Sequence, residues 1–329
     1  MLGLALIIAY VFIKTSSVPR ILFATAAYYL TFYFYASLPM FFQHISLGLF
    51  CLVSIEGTLW LMRYDFDGFL ELIKNMHWLR ALHYIAMCLL GFIMYSLYFP
   101  TYTTDLSTFV FAVISAFFAF EFALMANNLY DRERIVYGVE KSKALGLCLG
   151  LFSLSAAIFV NNTFLLIMIT CTSLAFVYSA PPIRSKRFGY WNNALIGFES
   201  ALAFAAGFTS QNPDIKLLPL NIFLTVFVIF SIAGNIKDLK DLKEDRKEGI
   251  KTIPVLLGRE KAVKVLALLT SLCFPLSAAM LGLWNLLLIG VIFGFVNGLL
   301  LLKFKTEKTV FACYFGFLLV IGYWLLLIF

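Results

Sequence analysis

Again and again along this chain, an apolar run of about twenty residues gives way to a short polar or proline-bearing stretch. In hydrocarbon every backbone group must find its partner inside the protein, so a spanning segment is either a helix or part of a closed barrel. Runs of this length suit helices of 1.5 Å rise per residue across a core ~30 Å thick. The fold class expected is therefore all-α and polytopic. The segments read as 21–41, 42–62, 78–99, 107–126, 143–161, 163–180, 191–209, 217–236, 261–281, 284–302 and 309–328. Two of them precede the charged stretch Arg63–Lys74 and nine follow it. This divides the chain into an N-terminal transmembrane appendage, 1–66, and a nine-helix core, 67–329.

Hydrophobic residues make up 62% of the sequence and charged ones 13%, against roughly half and a quarter in soluble domains. The net charge of +7 would suit nucleic acid in a soluble protein, but here the basic residues sit in short loops between apolar runs. Topology and anionic lipid account for them, and nucleic acid is not an expected partner. If every core segment spans, all of the 25 Lys and Arg residues except Lys14, Arg20 and Lys216 fall on one face. The positive-inside rule makes that face cytoplasmic. The opening run Leu2–Ile13 is short and lacks a small-residue cleavage pattern, which fits a partial or tilted helix. The six cysteines lie in apolar segments without a CxxC pair, as packing residues do. Gly146 and Gly150, then Gly290, Gly294 and Gly298, repeat at four-residue spacing and predict close helix approach. Pro275 predicts a kink.

Three polar features fall on the expected cytoplasmic face. In Asn127–Arg134, Asn127 and Asp131 are four apart and share one side of a continuing helix. An amide oxygen and a carboxylate so placed suit Mg²⁺, although a polar helix end at the interface would look the same. In Lys237–Lys247, Asp238, Asp241 and Asp245 form one helical stripe of carboxylates. Such like charges repel unless a cation gathers them, and the alternative is a solvated helix of i,i+4 ion pairs. Taken together, the two clusters suit Mg²⁺ ions that clamp a diphosphate, with Lys237, Arg184 and Lys186 sharing its charge. The third feature, Tyr178–Arg187, has paired prolines that stop a helix, followed by a basic triplet that would also serve as a topological anchor.

In this order the three segments resemble the UbiA superfamily of intramembrane prenyltransferases. Asn127 and Asp131 match its N-x-x-x-D core, and Asp241 and Asp245 its D-x-x-x-D motif with Asp238 upstream. Gly249–Gly258 is similar to the segment after that motif, and Tyr178–Lys186 fits Y-S-x-P-P-x-x-x-K. The resemblance covers residues from about 70 onward and implies a bundle around a cavity. It also implies Mg²⁺ held by Asn127, Asp131, Asp238, Asp241 and Asp245, and a polyprenyl diphosphate donor. The acceptor it implies is an aromatic ring or a lipid. The chain departs from the family pattern at Asn128 and Ile135, where carboxylates are usual, and at Val139–Gly146, which replaces an R-P-x-x-x-G stretch. Glu244 stands where glycine is common.

Other polar residues complete the candidate set. Glu56, Glu121 and Glu199 lie inside apolar segments, where an ionisable group is costly. Glu121 is seven residues before Asn128 and would take the proton from the alkylated acceptor, or else hydrogen-bond between helices in its neutral form. His77, His83, Lys74 and Arg80 cluster around the first core helix, where Lys74 and Arg80 would meet an acidic group of the substrate. Asp131, Asp241, Asp245 and Glu121 are thus the catalytic candidates. Asn127, Asn128, Tyr178, Arg184, Lys186, Lys237, Lys74 and Arg80 are the substrate-binding ones. The expected function is Mg²⁺-dependent prenyl transfer. Terpene cyclisation on the same scaffold and non-catalytic binding or transport of isoprenoid lipid are the alternatives.

Overall fold

The computed structural model describes residues 45–76, 78–100, 106–131 and 139–328, and within them all regular structure is helical. The expected segment 21–41 lies outside the described residues, as do Lys14, Arg20, His77, Glu133 and Ile135. In chain order the helices are α1 (Ile45–Tyr64), α2 (Phe66–Asn75), α3 (Trp78–Tyr98), α4 (Leu106–Asp131) and α5 (Val139–Ile158). They continue with α6 (Asn162–Ser179), α7 (Tyr190–Gln211), α8 (Leu220–Ala233), α9 (Asp238–Glu248) and α10 (Ile253–Leu257). The last are α11 (Arg259–Met280), α12 (Leu287–Phe304) and α13 (Glu307–Ile328). Most ends fall within a few residues of those expected. The main difference is α4, which runs on through the polar motif to Asp131.

Among the described residues, five helices are long and apolar enough to cross a membrane. They are Arg80–Tyr98, Ser107–Tyr130, Asn162–Ser179, Arg259–Met280 and Trp284–Phe304; a sixth follows if α8 and α9 form one bent span. The helix α5 offers a shorter apolar stretch, Lys143–Ile158. The chain is an integral membrane protein. Between α1 and α3, the short helix α2 exposes Phe66, Leu70 and Ile73 along one stripe, the pattern of a helix lying in the interface between headgroups and acyl chains.

The described residues form two compact units. The first runs to Ala180 and takes in Ala206–Ile215; the second comprises Pro181–Ala205 and the chain from Lys216. In the first, α4 and α5 meet along small residues. Ser115 Oγ donates to the Ser153 carbonyl (2.9 Å) and Ser153 Oγ to the Ser115 carbonyl (2.7 Å). Gly146 rests against Met125 and Gly150 against Phe122. From α1, Phe50 packs on Phe111 and Phe152 with ring centroids 5.2 and 4.9 Å apart. A methyl group at Gly207 of α7 would run into the Cys88 carbonyl of α3. Asn161 caps α6, accepting from Phe164 N–H (2.9 Å) while its Nδ2 donates to the Thr209 carbonyl (2.7 Å).

The second unit sets its lipid and protein faces apart most plainly on α12. Gly290, Gly294 and Gly298 are buried and lie against Phe274, Pro275 and Ser271 of α11, where a Cβ would crowd the opposing helix. Leu288, Ile292, Phe295 and Leu299 on the other side are exposed, as lipid-facing residues are. Asn297 Nδ2 donates to Thr270 Oγ1 at 3.0 Å, an interhelical bond of the kind that contributes about 0.6 kcal/mol in a membrane.

One feature of this unit positions the second polar motif. Between α8 and α9 the chain turns through 73°, by way of a short 3₁₀ turn, Gly234–Ile236. Asn235 braces the break: its Nδ2 donates to the carbonyls of Ser231 (2.8 Å) and Ile232 (3.1 Å) at the end of α8. Helix α9 therefore leaves the direction of the apolar segment. Its apolar side is pinned by Leu239, which is buried with Ile236, Ala262, Val263, Leu266, Ala267 and Leu301.

Candidate active site: two polar motifs on two helix ends

The first motif occupies the C-terminal turn of α4. Because the helix is continuous to Asp131, Asn127 and Asp131 keep the i,i+4 relation expected of them. Ser179 Oγ donates to Asn127 Oδ1 over 3.5 Å, a long bond at the limit of useful geometry. Asn128 is half-buried, and the Asp131 side chain lies outside the described residues. Two turns earlier, Glu121 is 3% exposed. Elsewhere in this unit, Arg80 is half-buried in the first turn of α3, the described backbone of Lys74 closes α2, and His83 is buried. Tyr178 sits in the last turn of α6, which ends at Ser179 before the prolines.

The second motif is more fully built. Asp238, in the first turn of α9, is 2% exposed. Asn193 Nδ2 donates to Asp238 Oδ2 at 3.0 Å and to Asn235 Oδ1 at 2.8 Å. The neighbouring amide has the opposite role, since Asn192 Oδ1 accepts from Lys237 Nζ at 3.2 Å. At the far end of α9, Gly249 adopts a left-handed conformation (φ +72°). Its N–H reaches the Arg246 carbonyl (3.4 Å) and Ile250 N–H the Asp245 carbonyl (2.8 Å), closing the helix as a Schellman motif. The chain then brings Thr252 Oγ1 to donate to Asp245 Oδ2 at 3.3 Å. Arg184 is left-handed (φ +43°) and leads into a 3₁₀ turn, Ser185–Phe188, which contains Lys186. That turn ends at Gly189, where any side chain would crowd the Lys251 carbonyl.

Electrostatics mark the same stripe. Burial pushes the Asp238 carboxyl above its ordinary range; Lys237 and the Asn193 hydrogen bond oppose the shift, and Asp241 adds to it. Asp245 is pushed up to about 6, first by burial and then by repulsion from Asp238, with Asp241 adding a smaller push. Three carboxylates close enough to raise one another are a standing demand for positive charge. All are hard oxygen donors, which suit Mg²⁺ better than a softer metal. Among the described residues no three His, Cys, Asp or Glu side chains form a complete metal cage. Mg²⁺ does not require one, since it usually keeps waters and takes substrate phosphate oxygens.

Asn192, Asn193, Asn235 and Thr252 were not among the residues expected from sequence. The available signal was an amide pair opening a largely apolar helix, where an unpartnered polar group is costly.

Comparison with known proteins assigns the family. The sequence profile of the UbiA prenyltransferase family matches residues 137–320, more than half of the chain. The chain belongs to the UbiA prenyltransferase family. The UbiA match takes in the second motif and the Tyr178–Lys186 stretch, and it begins after Asn127 and Asp131. Among curated relatives, the bacteriochlorophyll synthase 33 kDa chain of Cereibacter sphaeroides is 28% identical over 123 residues, 34% of this chain and 37% of that one. Chloroplastic chlorophyll synthase of Arabidopsis thaliana is 33% identical over 97 residues, 27% of this chain and 23% of that one. The aligned stretch is thus well under half the length of each relative. A UbiA homolog from Archaeoglobus fulgidus, solved bound to GPP and Mg²⁺, superposes with a TM-score of 0.57 at 19% identity, covering 76% of this chain and 98% of that one. At that identity the likeness establishes a common fold.

Proposed function

We propose that this UbiA protein transfers a prenyl group from an allylic diphosphate to an aromatic or lipid acceptor within the membrane. The observation that carries the reading is the carboxylate stripe of α9, in which Asp238 is buried and bonded by Asn193 and Asp245 is bonded by Thr252, on a helix turned away from an apolar segment. In this reading Asp238, Asp241, Asp245, Asn127 and Asp131 supply oxygen ligands to Mg²⁺. Bound there, Mg²⁺ supplies the positive charge that makes diphosphate a good leaving group. That a UbiA homolog from Archaeoglobus fulgidus is solved bound to GPP and Mg²⁺ supports a prenyl diphosphate with Mg²⁺ as the substrate class. Lys237, Arg184 and Lys186 hold the diphosphate oxygens, and Asn128, Tyr178, Lys74 and Arg80 complete the substrate contacts.

The C1–O bond of the donor breaks and its electron pair leaves with diphosphate. A nucleophilic atom of the acceptor bonds to the allylic carbon, and the acceptor then gives up one proton. Glu121, buried on α4, is the group we assign to receive it. Residues 1–66 form an appendage to this 67–329 core, and the motif-bearing loops face the cytoplasm, as the distribution of Lys and Arg supports.

The test is product analysis by mass spectrometry. Purified protein in nanodiscs is offered geranyl, farnesyl and geranylgeranyl diphosphate with Mg²⁺, with and without added lipid and aromatic extract. Prenylated acceptor appearing only with extract is the expected result. Cyclised hydrocarbon formed without any acceptor would replace the assignment with a cyclase. Tight diphosphate binding without turnover would replace it with an isoprenoid-lipid carrier.

A further inference from the structure

The Asn192–Asn193 pair opens α7 inside the second unit, and each amide engages a different charge of the next polar stretch. Asn192 presents its oxygen to the Lys237 ammonium (3.2 Å), and Asn193 presents its nitrogen to the Asp238 carboxylate (3.0 Å). A flipped Asn193 would set its oxygen against both Asp238 and Asn235 Oδ1, so the network admits one orientation. Asn193 is 3% exposed, and with both contacts on Nδ2 its Oδ1 is buried without a hydrogen-bond partner. Leaving such an oxygen unpaired is costly. A residue that served only to fill space would not carry that cost.

The backbone supports the same orientation. Asn193 Oδ1 lies against Gly234, where a Cβ would come within 3.1 Å of it. Gly234 has an ordinary right-handed conformation (φ −55°), so a glycine is not required there by backbone angles. Its missing side chain leaves the room that the Asn193 amide occupies. Asn235, the other acceptor, is itself tied to Ser231 and Ile232. Asp238 is thereby held to the break between α8 and α9 through one amide.

We propose that Asn193 is a positioning residue for the second carboxylate motif: it fixes Asp238 through Oδ2, so that the other carboxylate oxygen is left for a divalent cation carrying a diphosphate. The inference rests on the Mg²⁺-dependent reading of this site, and it concerns a residue outside both Asp-bearing motifs. Asn193 acts through Asp238 and touches neither donor nor acceptor.

The probe is Mn²⁺, whose free concentration is read by electron paramagnetic resonance, titrated into the full chain in nanodiscs without donor. Asn193→Leu keeps the approximate volume and removes the donor. Gly234→Ala keeps every polar group and presses a methyl group on the amide. Both variants are expected to weaken Mn²⁺ binding about 10–100-fold, the range for partners that orient a metal ligand, while the thermal midpoint moves by only a few degrees. Kinetically, the Mg²⁺ concentration for half-maximal rate should rise by the same factor while the KM for the donor changes less. Variants that lose thermal stability yet bind Mn²⁺ as the wild type does would overturn the inference, because Asn193 would then be structural. Wild-type protein that binds Mn²⁺ and releases no diphosphate would refute prenyl transfer, and the Asn193 comparison would still be decided by Mn²⁺ binding. Wild-type protein that binds no Mn²⁺ would overturn both.

Discussion

The two polar motifs of this protein are built in different ways. The first is the end of one long helix: Asn127 sits in its last turns and accepts a 3.5 Å hydrogen bond from Ser179. The second begins at a break. It carries buried Asp238 and is held by Asn193, by Thr252 on Asp245, by the Gly249 cap and by Leu239 in the apolar core. A motif at a helix end takes its geometry from helical register and moves with the last turn. One anchored from several directions keeps its carboxylates together against their repulsion before any cation arrives. On the proposed Mg²⁺ reading, cation binding without substrate depends more on the second motif than on the first.

The sharpest way to break this contrast is Mn²⁺ binding without substrate. Asp241→Ala should weaken it about 100-fold, whereas Asn127→Ala should change it less than about threefold. Equal losses in the two would remove the asymmetry. Next in size is the apolar anchor. Leu239→Ala should cost about 2–5 kcal/mol of stability, read as a lowered thermal midpoint, because it opens a cavity under α9. A loss of metal affinity in that variant at temperatures where it remains folded would show that the anchor also sets the carboxylates.

The third prediction concerns pH. Asp245 is held at about 6 without metal, well above its unfolded value near 3.9. Its carboxyl favours the proton more in the folded state, so this group's contribution to stability falls as pH rises from about 4 to about 6. Cation binding needs the ionised form, so Mn²⁺ affinity should fall by up to about tenfold per pH unit below 6. A flat profile between pH 5 and pH 7 would contradict this. The smallest expected effects separate the two hydrogen-bonded braces. Thr252→Ala should raise the half-maximal Mg²⁺ concentration about threefold, and Ser179→Ala less than twofold, given the length of its bond.

Much of this was legible in the sequence because it is periodic. Apolar runs located the helices, glycines at four-residue spacing located the α11–α12 contact, and Asp238, Asp241 and Asp245 declared one stripe at i, i+3 and i+7. A local rule also gave the stop of α6 before Pro181. What such rules did not show was the bracing. Asn193 and Asp238 are 45 residues apart, and no short-range pattern encodes which amide meets which carboxylate. The 73° turn was equally hidden, because Gly234 and Asn235 read as ordinary residues until the Asn235 amide is seen to bond the carbonyls at the end of α8.

The most direct test of the central claim is diphosphate release from geranylgeranyl diphosphate by purified protein in nanodiscs, supplied with acceptor extract. Wild type is measured with and without Mg²⁺, beside Asp241→Ala. The account predicts release that requires Mg²⁺ and falls about 10³-fold in Asp241→Ala, equivalent to about 4 kcal/mol of lost transition-state stabilisation. Release that persists without Mg²⁺, or at the wild-type rate in folded Asp241→Ala, would contradict it.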